Sequence, residues 1–124
     1  MNTYLWIAAG FAAACAFGAA LLKLTQPRQR IIDAGLKWAE GFTDSQVKAI
    51  GAAELLGGIG LIVPPLIDTA EILTPIAAVG LALLWSGAVV THVRRRELKE
   101  FVPSAVLVAL AVFVAYGRFG DWSF

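Results

Sequence analysis

The sequence predicts an all-α integral membrane protein, a four-helix transmembrane bundle with a short amphipathic interfacial helix between spans 1 and 2. Three observations predict it. The 124 residues are 59% hydrophobic and only 15% charged, with a mean hydropathy of +0.75, whereas a soluble domain carries about a quarter charged residues to keep its surface in water. The apolar residues fall into four blocks, each near the ~20 residues needed to cross a bilayer core as a helix. Nine of the ten Lys and Arg residues fall on one side of a four-span arrangement.

The blocks run over about residues 4–24, 47–66, 72–93 and 102–119. They leave only short connections, so a separate soluble domain has no room and residues 1–124 form one domain. No basic stretch precedes the first block, which argues against a cleaved leader. Cys15 follows Ala12-Ala13-Ala14, without the leucine of a lipid-attachment motif. As the single cysteine it excludes an internal disulfide, and packing among small residues is its expected role.

Span 1 carries Gly10, Ala14 and Gly18 at four-residue spacing. Small residues at that spacing let helix backbones approach, and dispersion then favours association. Pro27 stops this span. Beyond it, Ile31, Ile32, Gly35, Leu36, Ala39 and Phe42 share one helical face, with Arg30, Asp33, Lys37 and Glu40 on the rest. That pattern predicts the interfacial helix, with Trp38 at the headgroup boundary. Thr43 and Gln46 have capping-box spacing for span 2. Pro64 and Pro65 are expected to end that span. Thr74-Pro75 reads as an N-cap followed by a first-turn proline for span 3, and Pro103 plays the same part for span 4. Gly117 and Gly120 flank the end of span 4, where left-handed backbone is often needed.

Charge sets the expected orientation. Lys23, Arg28, Arg30, Lys37 and Lys48 lie in or beside the first loop, and Arg94, Arg95, Arg96 and Lys99 in the third. Short basic loops stay in the cytoplasm, which places both termini and the second loop outside. Tyr4, Trp6, Tyr116 and Trp122 then anchor the outer interface. The Arg94–Arg96 run directly follows a span, so an anionic inner leaflet explains it without nucleic acid. Arg118 is expected to snorkel outward or pair with Asp68 or Glu71.

Charged groups within hydrocarbon cost at least ~2.5–3.5 kcal/mol each and need partners or a function. Glu54 lies seven residues past Val47, roughly 10 Å into the membrane at ~1.5 Å per residue, with Gly51 and Gly58 on its face. Lys23 ends span 1 and His92 ends span 3 at the same level. Trp85, seven residues before His92, shares its face. Lys23, Glu54, His92 and Trp85 therefore form the expected buried polar site. Gly10, Ala14, Gly18, Gly51 and Gly58 are the expected helix-packing positions. With one His and one Cys, a metal site from ordinary ligands is not expected, and no catalytic motif is visible.

Four stretches also carry a family likeness: Lys23-Leu24, Gly51-Ala52-Ala53-Glu54-Leu55-Leu56-Gly57-Gly58-Ile59-Gly60-Leu61, His92-Val93-Arg94-Arg95-Arg96-Glu97 and Tyr116-Gly117-Arg118-Phe119. Together they resemble the DoxX-like family of small four-span membrane proteins. The resemblance implies a shared buried site at Lys23, Glu54 and His92. It also implies a link to membrane oxidoreductase complexes or, as in animal relatives, to receptor chaperoning. The expected function is a non-enzymatic accessory, assembly or chaperone-like subunit in a bacterial inner membrane. Its partners would be the lipid bilayer and either further copies of itself or another membrane protein, and no cofactor is expected. The alternatives are a quinone-linked redox subunit, and a small transporter or binder of a lipophilic solute.

Overall fold

The computed structural model describes residues 2–120, with the side chains of Leu98 and Glu100 excepted. Four long helices cross in succession: α1 (Asn2–Thr25), α3 (Asp44–Leu66), α4 (Leu73–Arg94) and α5 (Leu98–Phe119). All four are long and apolar enough to span a membrane, α5 through its Phe101–Phe119 portion. Each packs antiparallel on the next, and α5 returns to α1, closing an up-and-down ring. One end of the bundle carries the first and third loops with their basic residues, here termed the basic end. The other carries the second loop and the chain termini.

The outside of the bundle is apolar. Leu21, Leu56 and Leu83 are 66, 70 and 71% exposed, a surface that lipid solvates and water does not. The interior is made of small residues on α1, where Ala8, Ala9, Ala12, Ala13, Ala16 and Ala20 are buried, with Leu61, Leu81, Trp85, Ala111 and Val114 from the other helices. Because lipid tails are as apolar as the helices, close packing rather than hydrophobic transfer supplies the association energy.

The local signals hold in some places and are overridden in others. Thr43 and Gln46 form the expected capping box: the Gln46 N–H donates to the Thr43 hydroxyl and the Thr43 N–H to the Gln46 side chain, at 3.1 and 2.9 Å. Pro64 and Pro65 sit in the last turn of α3, which ends at Leu66.

Thr74 is not an N-cap. Helix α4 begins one residue earlier, and the buried Thr74 hydroxyl instead donates across to the Gly60 and Leu61 carbonyls of α3, at 3.1 and 3.4 Å. Pro103 lies inside α5 rather than at its first turn, because the helix starts at Leu98, before the apolar segment. Neither glycine near the end of α5 is left-handed. Gly117 is helical, and a Cβ there would lie 2.6 Å from the Leu5 side chain of α1. Gly120 has φ −97°. Both positions serve close approach or chain exit, not a positive φ.

The interfacial segment also differs from a continuous helix. It folds as α2 (Arg28–Asp33) and a 3-10 helix (Lys37–Gly41), broken at Gly35, whose φ is +100°. An L side chain rarely adopts that conformation, so the glycine permits the break. The break lets Ile31 and Ala39 both bury against Val47 of α3, which one straight helix of this length would not bring together.

Arg118, expected to face outward, is 3% exposed. It donates to the Asn2 side chain at 2.7 Å, with its guanidinium 5.7 Å from the Trp6 ring, because α5 returns beside the start of α1 and not beside the second loop. Trp122 and Asp121 lie outside the described residues.

Candidate functional site

The α1–α3 contact brings Lys23 to Glu54. A Cβ at Gly51 would lie 2.8 Å from the Lys23 Cβ, so this glycine allows the lysine-bearing turn to lie flat on α3. One α3 turn further in, Glu54 is 2% exposed. Its carboxylate is fully engaged: Lys23 Nζ donates to Oε1 at 2.6 Å and the Trp85 indole Nε1 donates to Oε2 at 3.2 Å. Ion pairing with added hydrogen bonding is what makes a buried carboxylate tolerable. Lys23 also sits 5.3 Å from the Trp38 ring centroid, a cation–π contact from the first loop.

His92 joins the site differently. It lines the same cavity, but its Nδ1 pairs with Glu97 Oε1 at 3.1 Å rather than with Glu54. The geometry follows from how α4 stops. Arg96 has φ 58°, its N–H donates to the Val93 carbonyl, and the Glu97 N–H donates to the His92 carbonyl at 2.9 Å. That is a Schellman stop with arginine where glycine is usual, and it folds Glu97 back over the His92 ring. Arg95 then holds the assembly to the first loop, with Nη2 3.0 Å from Glu40 Oε1 and Nε 3.4 Å from Glu97 Oε1.

Two cations that the sequence marked only as loop charge are structural. Lys48 donates to the Lys23 and Gln26 carbonyls at the end of α1, at 2.6 and 2.5 Å, satisfying acceptors that have no intrahelical partner. Arg28 donates to the Ala39, Glu40 and Phe42 carbonyls, which shapes the 3-10 segment carrying Trp38. Both contacts are between elements distant in sequence, so no local signal marks them. Glu97 was visible only as the residue closing the basic run after His92.

Between these groups lies a cavity of about 410 Å³. Lys23, Glu54, Trp85 and His92, with the hydroxyls of Thr91 and Ser104, supply its polar side, and Ile50, Leu84, Ala88 and Leu107 its apolar side, with Trp38 and Phe42 of the first loop at its basic end. It exists because α3 and α4 meet closely only nearer the second loop. There, a Cβ at Gly57 would lie 2.6 Å from Leu81, and one at Gly60 2.7 Å from the Ala77 Cβ. Past the Glu54–Trp85 hydrogen bond the facing residues line open space. Gly87, on this stretch of α4, is exposed and has nothing within 4 Å of a built Cβ.

Of the small-residue positions, Gly51 packs on α1 as described, and a Cβ at Gly58 would lie 2.9 Å from the Phe17 ring. Among the described residues, Gly10, Ala14 and Gly18 lie on the outward side of α1. All three are exposed, and a Cβ at Gly10 or Gly18 meets nothing within 4 Å. The intramolecular face of α1 is the alanine face beside them.

The DoxX-like family matches residues 7–114, which include Lys23, Glu54, Trp85 and His92. No match was found among curated proteins or solved structures. The chain belongs to the DoxX-like family and is a small multi-pass integral membrane protein.

Proposed function

We propose that this member of the DoxX-like family is a binding module for a lipophilic small molecule, held in the cavity beside Lys23, Glu54, Trp85 and His92. One observation carries the reading: a buried ion pair and a histidine at membrane depth line open space instead of a packed core. Groups so costly to bury are retained in membrane spans mainly where they serve a pathway or a ligand. A quinone has a suitable build, an apolar tail on a ring whose oxygens accept hydrogen bonds and become hydroxyl donors in the reduced quinol, and would be the cofactor of a redox subunit. The basic end faces the cytoplasm in this reading, as its loop charges favour, and the cavity then lies in the inner-leaflet half.

The test is solvent extraction of purified protein followed by mass spectrometry, with Ala88→Phe as the cavity-filling comparison. A molecule recovered near one per chain from the wild type and lost from the variant is the expected result. Equal recovery from both overturns the proposal. Orientation is tested by cysteine labelling in a Cys15→Ala background. Thr69→Cys should react with an impermeant reagent from outside, and Lys99→Cys only after permeabilisation.

A second reading, an accessory or assembly subunit, draws on the outward Gly10, Ala14 and Gly18 face, which offers a partner helix or a second copy close backbone contact. Cross-linking from Ala14→Cys between copies, or to a co-purified protein, supports it. A monomer with no co-purifying protein in mild detergent opposes it.

A further inference from the structure

Resting on the cavity reading above, we infer that the bound molecule is an uncharged amphiphile with a hydroxyl head, which donates to His92 Nε2 and accepts from Lys23. The charge of the site is already balanced. Lys23 and Glu54 neutralise one another at 2.6 Å, and both Glu54 oxygens are occupied, by Lys23 and Trp85. A charged head would bring an uncompensated charge to this depth, which low-dielectric surroundings disfavour. An anion would also compete with Glu54 for Lys23, and a cation would face Lys23 directly.

Thr91 and Ser104 also line the cavity, the Thr91 hydroxyl donating to the Gly87 carbonyl of its own helix, and the hydrogen-bonding capacity left at His92 and Lys23 matches a hydroxyl. Glu97 and Arg95 fix the role of the histidine: the carboxylate, itself held by Arg95, accepts the Nδ1 proton of His92. In that tautomer Nε2 carries a lone pair, and the ring lines the cavity, so Nε2 is an acceptor there. The Lys23 ammonium has three donors, of which Glu54 takes one. A hydroxyl is both donor and acceptor and satisfies His92 and Lys23 together. The apolar remainder fits between Ile50, Leu84, Ala88 and Leu107, with the open stretch beside Gly87 leading to lipid.

The experiment places Gly87→Cys in a Cys15→Ala background, in nanodiscs at pH 8, and measures its labelling by a membrane-soluble maleimide. Four probes compete at matched mole fractions of the lipid: 1-dodecanol, its methyl ether, dodecyl sulfate and dodecyltrimethylammonium. Dodecanol is expected to protect at about tenfold lower mole fraction than either charged probe. The ether, which cannot donate, should be weaker than the alcohol by about three- to tenfold, the range of one net hydrogen bond. His92→Phe should abolish that alcohol–ether difference while leaving unprotected labelling unchanged.

Charged probes protecting as well as dodecanol would overturn the inference, as would an alcohol–ether difference that survives His92→Phe. Either result leaves the cavity reading standing. Protection by none of the four would overturn the cavity reading itself. The charge comparison is made without the His92 substitution, so it holds even where that variant does not fold.

Discussion

The two halves of this bundle solve the problem of packing helices in lipid in opposite ways. Toward the second loop and the termini, helices are drawn together by missing side chains. Gly57 receives Leu81, Gly60 receives Ala77, Gly117 receives Leu5, and the Thr74 hydroxyl stitches α4 to the α3 carbonyls. At the basic end α3 and α4 stand further apart, while Gly51 still lets α1 lie close on α3, and most bridges between elements are made by charged side chains. Lys23 to Glu54, Lys48 to the α1 terminus, Arg28 to the first loop and Arg95 to Glu40 all bridge separate elements. The first half should therefore fail when volume is added, the second when a partner is removed. The cavity beside Lys23 and Glu54 lies in the second half, where long side chains meeting at their tips leave the space between their stems unfilled.

The largest expected effect tests the charged half. Lys23→Met leaves Glu54 buried with only the Trp85 donor. Breaking a buried pair costs about 3–5 kcal/mol, whereas replacing both partners is often nearly neutral. In reversible unfolding in mixed micelles, Lys23→Met and Glu54→Gln should each destabilise strongly, with the double variant losing less than their sum. Strictly additive losses would remove the pair from its place in the comparison.

Next in size is Gly60→Leu in the tight half. Its Cβ would lie 2.7 Å from the Cβ of Ala77, which has no rotamer to yield, so the α3 and α4 backbones must part. Overpacking of this kind costs about 1–3 kcal/mol. A variant as stable as wild type would show that this half is not close-packed.

A smaller effect, of opposite sign, is expected at Arg96. The α4 stop needs a left-handed residue at this position, which arginine adopts at a cost of roughly 1 kcal/mol relative to glycine. Arg96→Gly should raise stability by about that amount while keeping the His92–Glu97 contact. A loss of stability would mean that the Arg96 side chain contributes more than its backbone costs.

The smallest effect is expected from Ala88→Phe. The added ring enters open space instead of a packed seam, so thermal stability should change by under about 1 kcal/mol. Taken with Gly60→Leu, it asks whether the same kind of insertion is tolerated in one half and not in the other. Equal losses at the two positions would erase the distinction.

Much of the fold was legible because its causes are local or compositional. Apolar runs of near-membrane length mark the spans, and the Thr43–Gln46 box marks where α3 begins. Glu54 announced itself as a site residue, since a carboxylate that deep in an apolar run must be compensated whatever the fold. The misreadings were all places where a neighbour outweighed the local rule. Thr74 looks like a cap but bonds another helix. Gly117 looks like a stop but admits Leu5. Gly35 looks like a face residue but breaks the helix. Arg118 looks like an outer-surface charge but is buried beside Asn2 and Trp6.

By itself, then, the sequence determined that the chain spans a membrane four times, where each span lies, and that Lys23, Glu54 and His92 share one level. Those properties follow from transfer free energy and helix rise, which act along the chain. Only the tertiary structure decided that Trp85 takes the second Glu54 oxygen, that His92 answers to Glu97, and that a cavity separates them. These depend on which side chains meet across helix seams and on how α4 ends, and packing geometry of that kind has no signature in any one stretch of sequence.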